Sequence, residues 1–146
     1  MIAYLDSSVL GRAYLSDEEG HREAAELLLN RDVALITGTW SRTEVSGALV
    51  RAARAGRGDE HGLLALLDED LGTDGPVTVV SAPQQDVEAR ALRLVREHGI
   101  RAMDAWHLAV AVLVLADLAE PGEERGFASR GKGQSEVAGL LGLTPF

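Results

Sequence analysis

Ile2-Ala-Tyr-Leu-Asp-Ser-Ser-Val-Leu10 is an apolar run cut off by one carboxylate with two hydroxyl residues directly behind it. Ile2 to Leu5 suit a buried strand, which leaves Asp6 at the strand's carboxyl end, where open α/β sheets place their ligand crevices. Asp6 then has two readings. Either it or Ser7 is the N-cap of a short helix over Ser8 to Leu15, accepting an orphan backbone N–H, or Asp6 begins a metal site. Capping is the commoner use of an isolated Asp-Ser-Ser, so companions elsewhere must decide.

Outward from this stretch, short apolar runs alternate with longer amphipathic ones. Gly20 to Asn30, Trp40 to Ala55, Asp59 to Leu71 and Gln84 to His98 have helical spacing. Ala34 to Thr37 and Val77 to Val80 have strand length and strand composition. Gly126 to Ser129 is a weaker fourth strand, Ser135 to Leu141 a last helix, and the segment from Gly142 to Phe146 an edge strand. Repeated strand-helix alternation predicts one α/β domain over residues 1–146, a three-layer fold with a central, mostly parallel sheet of four or five strands flanked by helices.

Composition narrows the function classes. The chain has no cysteine, which excludes disulfide frameworks, thiolate metal sites and cysteine nucleophiles. Its longest apolar run, Leu108 to Ala116, falls short of the roughly 20 residues a spanning helix requires. Asp6 and Arg12 interrupt any signal-like N-terminal segment, and a cytoplasmic protein with no membrane association is expected. A formal net charge of −9 argues against binding nucleic acid by overall attraction. A local basic stripe remains in Arg51, Arg54 and Arg57, whose spacing places them on one helix surface if the helix continues that far. That stripe is a solvated face or a phosphate or partner contact.

Two further acids stand where Asp6 stands. Glu44 lies in the first turn of a helix after the second strand, with Thr39 or Ser41 available as cap, and its ordinary reading is helix-dipole stabilisation. Asp104 opens the stretch Asp104-Ala-Trp-His-Leu-Ala109, and it too can cap a helix. His107 follows one turn later, as a metal partner of Asp104 or as a core histidine hydrogen-bonded nearby. In a parallel sheet, strand ends converge on one edge, so three acids distant in sequence share one crevice there. Their mutual repulsion is relieved by a hard divalent cation such as Mg²⁺ or Mn²⁺.

The Asp6 stretch, Glu44 within Ser41-Arg-Thr-Glu-Val45, and Ile100-Arg-Ala-Met-Asp-Ala-Trp-His-Leu-Ala-Val-Ala111 together resemble the successive motifs of the PIN-domain ribonucleases, more narrowly the VapC-type toxins. The resemblance covers essentially the entire chain. It implies a PIN-like fold in which Asp6, Glu44 and Asp104 bind Mg²⁺ or Mn²⁺ and support hydrolysis of an RNA phosphodiester, with Ser8 matching a family hydroxyl position. It also implies a small VapB-type antitoxin as partner. The leucine surface from Leu63 to Leu71 and the arginine stripe offer compatible surfaces for a homodimer, the antitoxin or RNA.

One departure stands out. Phe127-Ala-Ser-Arg-Gly131 resembles a family strand and turn in which another acid follows, and Gly131 takes its place. Asp117 lies roughly 20 Å along a helix from Asp104, and Glu136 belongs to the following helix, so Ser129, water or a substrate phosphate is left to complete the ring. The alternative function is therefore a catalytically impaired PIN-like module that binds RNA or a protein. A two-carboxylate glycoside hydrolase is disfavoured because aromatic residues make up only 4% of the chain, too few for a sugar-stacking platform.

Overall fold

A computed structural model describes residues 1–146. Five strands form one sheet: β1 (Ile2–Leu5), β2 (Ala34–Gly38), β3 (Val77–Val80), β4 (Arg125–Ala128) and β5 (Thr144–Pro145). Their order is β3-β2-β1-β4-β5 and every neighbouring pair is parallel, so the sheet expected to be mostly parallel is wholly so. The chain winds outward from β1 through β2 to β3, then crosses back to β4 and β5. β1 and β4 are therefore the neighbours at which winding reverses, the position at which such folds open a crevice.

Seven helices cover the sheet: α1 (Ser7–Arg12), α2 (His21–Leu29), α3 (Thr39–Arg54), α4 (Glu60–Asp70), α5 (Gln84–His98), α6 (Ala102–Leu118) and α7 (Lys132–Leu140). β1 is buried throughout, and its alternation sorts the core into two layers. Ala3 and Leu5 join Leu35, Val77 and residues of α1 to α4, while Ile2 and Tyr4 join Ile36, Phe127 and residues of α5 to α7. Right-handed crossovers running in opposite directions along a sheet put their helices on opposite faces, which accounts for this division.

Several boundaries differ from the sequence-based expectation. α1 begins at Ser7 and stops at Arg12. α3 starts at Thr39 with Gly38 as an uncapped N-cap, so neither Thr39 nor Ser41 caps it; Ser41 is buried and its Oγ lies 2.6 Å from Thr37 Oγ1. α7 begins at Lys132, not Ser135. α6 begins at Ala102, with Arg101 in the N-cap position, so Asp104 is a residue of its first turn and not its cap. No helix is long and apolar enough to cross a membrane.

Candidate active site

β1 ends at Leu5, and Asp6 continues the ladder by donating its N–H to Ala128 O of β4 at 2.9 Å. The side chain does cap α1, since Oδ2 accepts from Ser8 N at 3.1 Å. It does more than cap. Ser8 Oγ donates to the same oxygen at 2.6 Å and itself accepts the Arg130 N–H at 3.2 Å, tying Asp6 to the exit of β4. Asp6 is 6% exposed, a degree of burial that a carboxylate sustains only with such partners.

Glu44 reaches the same point from α3. Its Oε1 accepts from Ser7 Oγ at 2.8 Å and lies 2.6 Å from His107 Nε2, while Asp6 Oδ1 lies 3.7 Å from that nitrogen. Both carboxylates thus converge on one buried imidazole. The other ring nitrogen, Nδ1, is 2.8 Å from Tyr4 Oη. Gly38 N–H donates to that oxygen at 3.0 Å. The tyrosine hydroxyl is held far above its ordinary proton affinity, by burial first and then by the charge of Asp6, so it remains a donor. Its hydrogen goes to Nδ1, which assigns the Nε2 hydrogen to Glu44. A Cβ on Gly38 would stand 2.6 Å from Tyr4 Oη, so glycine is required for this approach. Phe127 stacks on the Tyr4 ring, 5.6 Å between centroids and 3° from parallel, which immobilises the relay.

Asp104 borders the same group from the first turn of α6. Its carboxyl is pushed above its ordinary proton affinity, by burial first, then by the charge of Asp6, with Arg101 opposing and Glu44 adding. Glu44 moves the other way. Burial pushes it up, and the hydrogen bonds from His107 and the Ser7 hydroxyl outweigh that and lower it. As the side chains stand, no three acids or imidazoles converge tightly enough to ligate one ion, and Glu44 Oε1 is engaged by His107. The donor chemistry nonetheless suits a hard cation: three carboxylates, the charge on one of them destabilised by burial and by its acidic neighbours.

The β4 side closes differently. Ser129 is buried but does not touch Asp6; its Oγ accepts the Gly131 N–H at 3.0 Å and donates to Gln134 Oε1 at 2.5 Å. Gln134, 2% exposed, donates Nε2 to Asp104 O at 3.2 Å and to Asp6 Oδ1 at 3.4 Å. Asp117 and Glu136 are exposed, on the far end of α6 and the outside of α7, and neither replaces an acid at Gly131.

The arginine stripe does not survive as a unit. α3 carries Glu44 near its start and Arg51 and Arg54 in its last turn, so these two lie at the helix end remote from the crevice. Arg57 is off the helix, because Gly56 turns the chain at φ +78°, and it binds Asp17 at 2.7 Å and Glu18 at 2.7 Å. The cations flanking the acids in the chain are Arg101, before α6, and Arg130 and Lys132, after β4. The sequence does not single out Gln134 or Tyr4, and it offers Ser7 only as a cap, whereas the Ser7 hydroxyl binds Glu44. Of these only Tyr4 carried a signal, as a buried-strand aromatic whose hydroxyl needs a partner.

A doubly wound parallel sheet with one buried and two half-buried acids gathered beyond its central strands describes an α/β protein with an acidic cluster at the topological switch point. The PIN domain model matches residues 3–133, and the chain belongs to the PIN domain family. Among solved structures it is similar to a toxin–antitoxin complex from Klebsiella pneumoniae, at 21% identity and a TM-score of 0.59, covering 97% of this chain and 95% of that one. It is also similar to VapBC-1 from nontypeable Haemophilus influenzae, at 16% identity and a TM-score of 0.57, covering 100% of this chain and 97% of the other. No curated protein matches it. The family read from the motifs is borne out, as is the α/β fold with its parallel sheet.

Proposed function

We propose that this protein is a Mg²⁺- or Mn²⁺-dependent endoribonuclease of the VapC toxin type, restrained by a VapB-type antitoxin. The observation that carries the reading is the convergence of Asp6 and Glu44 on His107 with Asp104 beside them, at the switch point of a PIN domain. PIN domains are generally nucleases, and the similar structures, one of them a toxin–antitoxin complex and the other VapBC-1, support an antitoxin as partner. A homodimer acting in the cytoplasm belongs to the same reading. Sedimentation of the isolated chain as a monomer at all concentrations would remove the dimer.

Asp6, Glu44 and Asp104 would hold the cation, which when bound supplies Lewis-acid polarisation of the phosphodiester and activation of water. The chain's own residues do the positioning. Ser8 fixes Asp6, and Tyr4 orients His107, which in turn fixes Glu44. The lowered proton affinity of Glu44 keeps it ionised. Trp40, about half exposed, makes an edge-to-face pair with Trp106, a surface on which an unpaired base can stack. Arg101, Arg130 and Lys132 provide local positive charge despite the acidic total.

The test is cleavage of single-stranded RNA by the purified protein with Mg²⁺ or Mn²⁺, with EDTA, and after Asp6→Asn or Asp104→Asn. Cleavage that needs the cation and fails in both variants is expected, and cleavage that survives EDTA or both substitutions sinks the site. Gly131 favours a second reading, an impaired PIN module that binds RNA or a protein. Retained RNA or antitoxin binding without cleavage under any condition would establish it.

A further inference from the structure

We propose that Gln134 sets the cation capacity of the crevice: its amide nitrogen stands on the β4 side where a further acid would supply oxygen, limiting the site to one firmly held divalent cation. The inference rests on the metal-binding reading of Asp6, Glu44 and Asp104.

The orientation of the amide is fixed by its neighbours. Ser129 Oγ already accepts the Gly131 N–H, so its own hydrogen goes to Gln134 Oε1, 2.5 Å away. On the other side stand Asp104 O and Asp6 Oδ1, at 3.2 Å and 3.4 Å, and both only accept. A flipped amide would set oxygen against two oxygens, so the nitrogen faces the Asp6 carboxylate and the Asp104 backbone carbonyl. An amide N–H₂ cannot ligate a hard cation, which takes oxygen. Gln134 instead satisfies part of the Asp6 charge by itself and does so without adding negative charge.

Nothing in the backbone forces this arrangement. Gly131 has φ −82° and ψ 111°, open to any L residue. A Cβ there would meet Gln134 Cβ, Gln134 Oε1 and Ser129 Oγ at 3.5 Å, an ordinary contact. The backbone and the space at its Cβ therefore admit a side chain at Gly131, and a carboxylate replaces the Gln134 amide isosterically. In Gln134→Glu one carboxylate oxygen still accepts from Ser129, while the other faces Asp6 Oδ1 and Asp104 O with no hydrogen between them. That repulsion calls for a cation.

Mn²⁺ alone is the probe, with free ion counted by paramagnetic resonance and binding heat by calorimetry, on wild type, Gln134→Glu and Gly131→Asp. Wild type is expected to bind one Mn²⁺ firmly. Each variant is expected to gain a second Mn²⁺ or to bind the first about tenfold or more tightly. In Gln134→Glu the cation-free melting temperature should fall below wild type and Mn²⁺ should raise it by the larger increment. Two equally held ions on wild type overturn the proposal, as do folded variants whose Mn²⁺ number and affinity match wild type. Absence of Mn²⁺ binding in all three proteins overturns it together with the metal site. RNA cleavage measured in parallel separates the two ideas: one Mn²⁺ on wild type, two on the variants and no cleavage by wild type supports the role of Gln134 while removing the nuclease reading.

Discussion

Asp6 has two different neighbourhoods. Toward β2, a chain of hydrogen bonds from Gly38 N through Tyr4 and His107 ends on a second carboxylate, Glu44, so the protein invests a buried aromatic and an imidazole in holding negative charge in place. Toward β4, the chain from Gly131 N through Ser129 ends on a neutral amide, Gln134, which satisfies Asp6 without adding charge. One side displays charge and the other absorbs it. Buried polar groups on both sides are satisfied, since no buried side-chain nitrogen or oxygen lacks a partner, so the asymmetry belongs to chemistry and not to faulty packing.

The comparison breaks most easily at Asp6. Asp6→Asn keeps an oxygen to cap α1 but removes the charge both sides address, and RNA cleavage should fall at least about a hundredfold with the fold retained. Gln134→Ala should cost less activity than this and more stability, about 1–3 kcal/mol by denaturant unfolding, because Ser129 and Asp104 O lose their buried partner. A Gln134→Ala variant less active than Asp6→Asn would reverse the roles assigned to the two sides.

The β2 relay comes next. His107→Ala releases Glu44 and leaves Tyr4 Oη without an acceptor, so cleavage should fall about 10- to 100-fold through weaker cation binding, seen as a raised Mn²⁺ dissociation constant. Tyr4→Phe removes only the hydroxyl, and the orphaned Gly38 N–H and His107 Nδ1 should cost about 1–3 kcal/mol of stability. If Tyr4→Phe leaves both stability and Mn²⁺ affinity at wild-type values, the relay does not position Glu44.

These residues also mark how far the sequence is legible. β3 and α5 fall where the pattern puts them, because β-branched alternation and a clean apolar stripe between punctuating Pro76 and Gly99 leave little choice. Asp6, Glu44 and Asp104 were legible as acids after strands or at helix starts, since topology alone gathers such positions. Two details escaped local reading. Lys132-Gly133 looks like loop, yet it starts α7, and that shift brings Gln134 into the first turn facing Asp6. The three arginines share one surface only if the helix runs on to Arg57, whereas Gly56 turns the chain before it and two acids from residues 17 and 18 take the guanidinium. In both cases a contact across more than thirty residues outweighed a local pattern.

The smallest expected effect is thermodynamic and distinguishes the two carboxylates flanking Asp6. Asp104 has a folded proton affinity above its ordinary value of 3.8, so the folded state binds that proton more tightly than the unfolded chain does. Its ionised form therefore costs stability, and the cost is complete above the folded pKa, shrinks as pH falls through it, and vanishes below the unfolded value. Glu44, lowered from 4.5, has the opposite sign: its contribution is complete above the unfolded value and is lost as pH falls through the folded one. Without divalent cation, Asp104→Asn should thus melt slightly higher than wild type at neutral pH and lose that advantage on acidification. Glu44→Gln should melt lower at neutral pH and approach wild type in acid. Adding Mn²⁺ should reverse the first ordering, because the cation stabilises the wild-type Asp104 charge that the asparagine lacks. If Asp104→Asn gains nothing at neutral pH in EDTA, the repulsion from Asp6 is already screened by solvent, and the need for a cation at Asp104 goes with it.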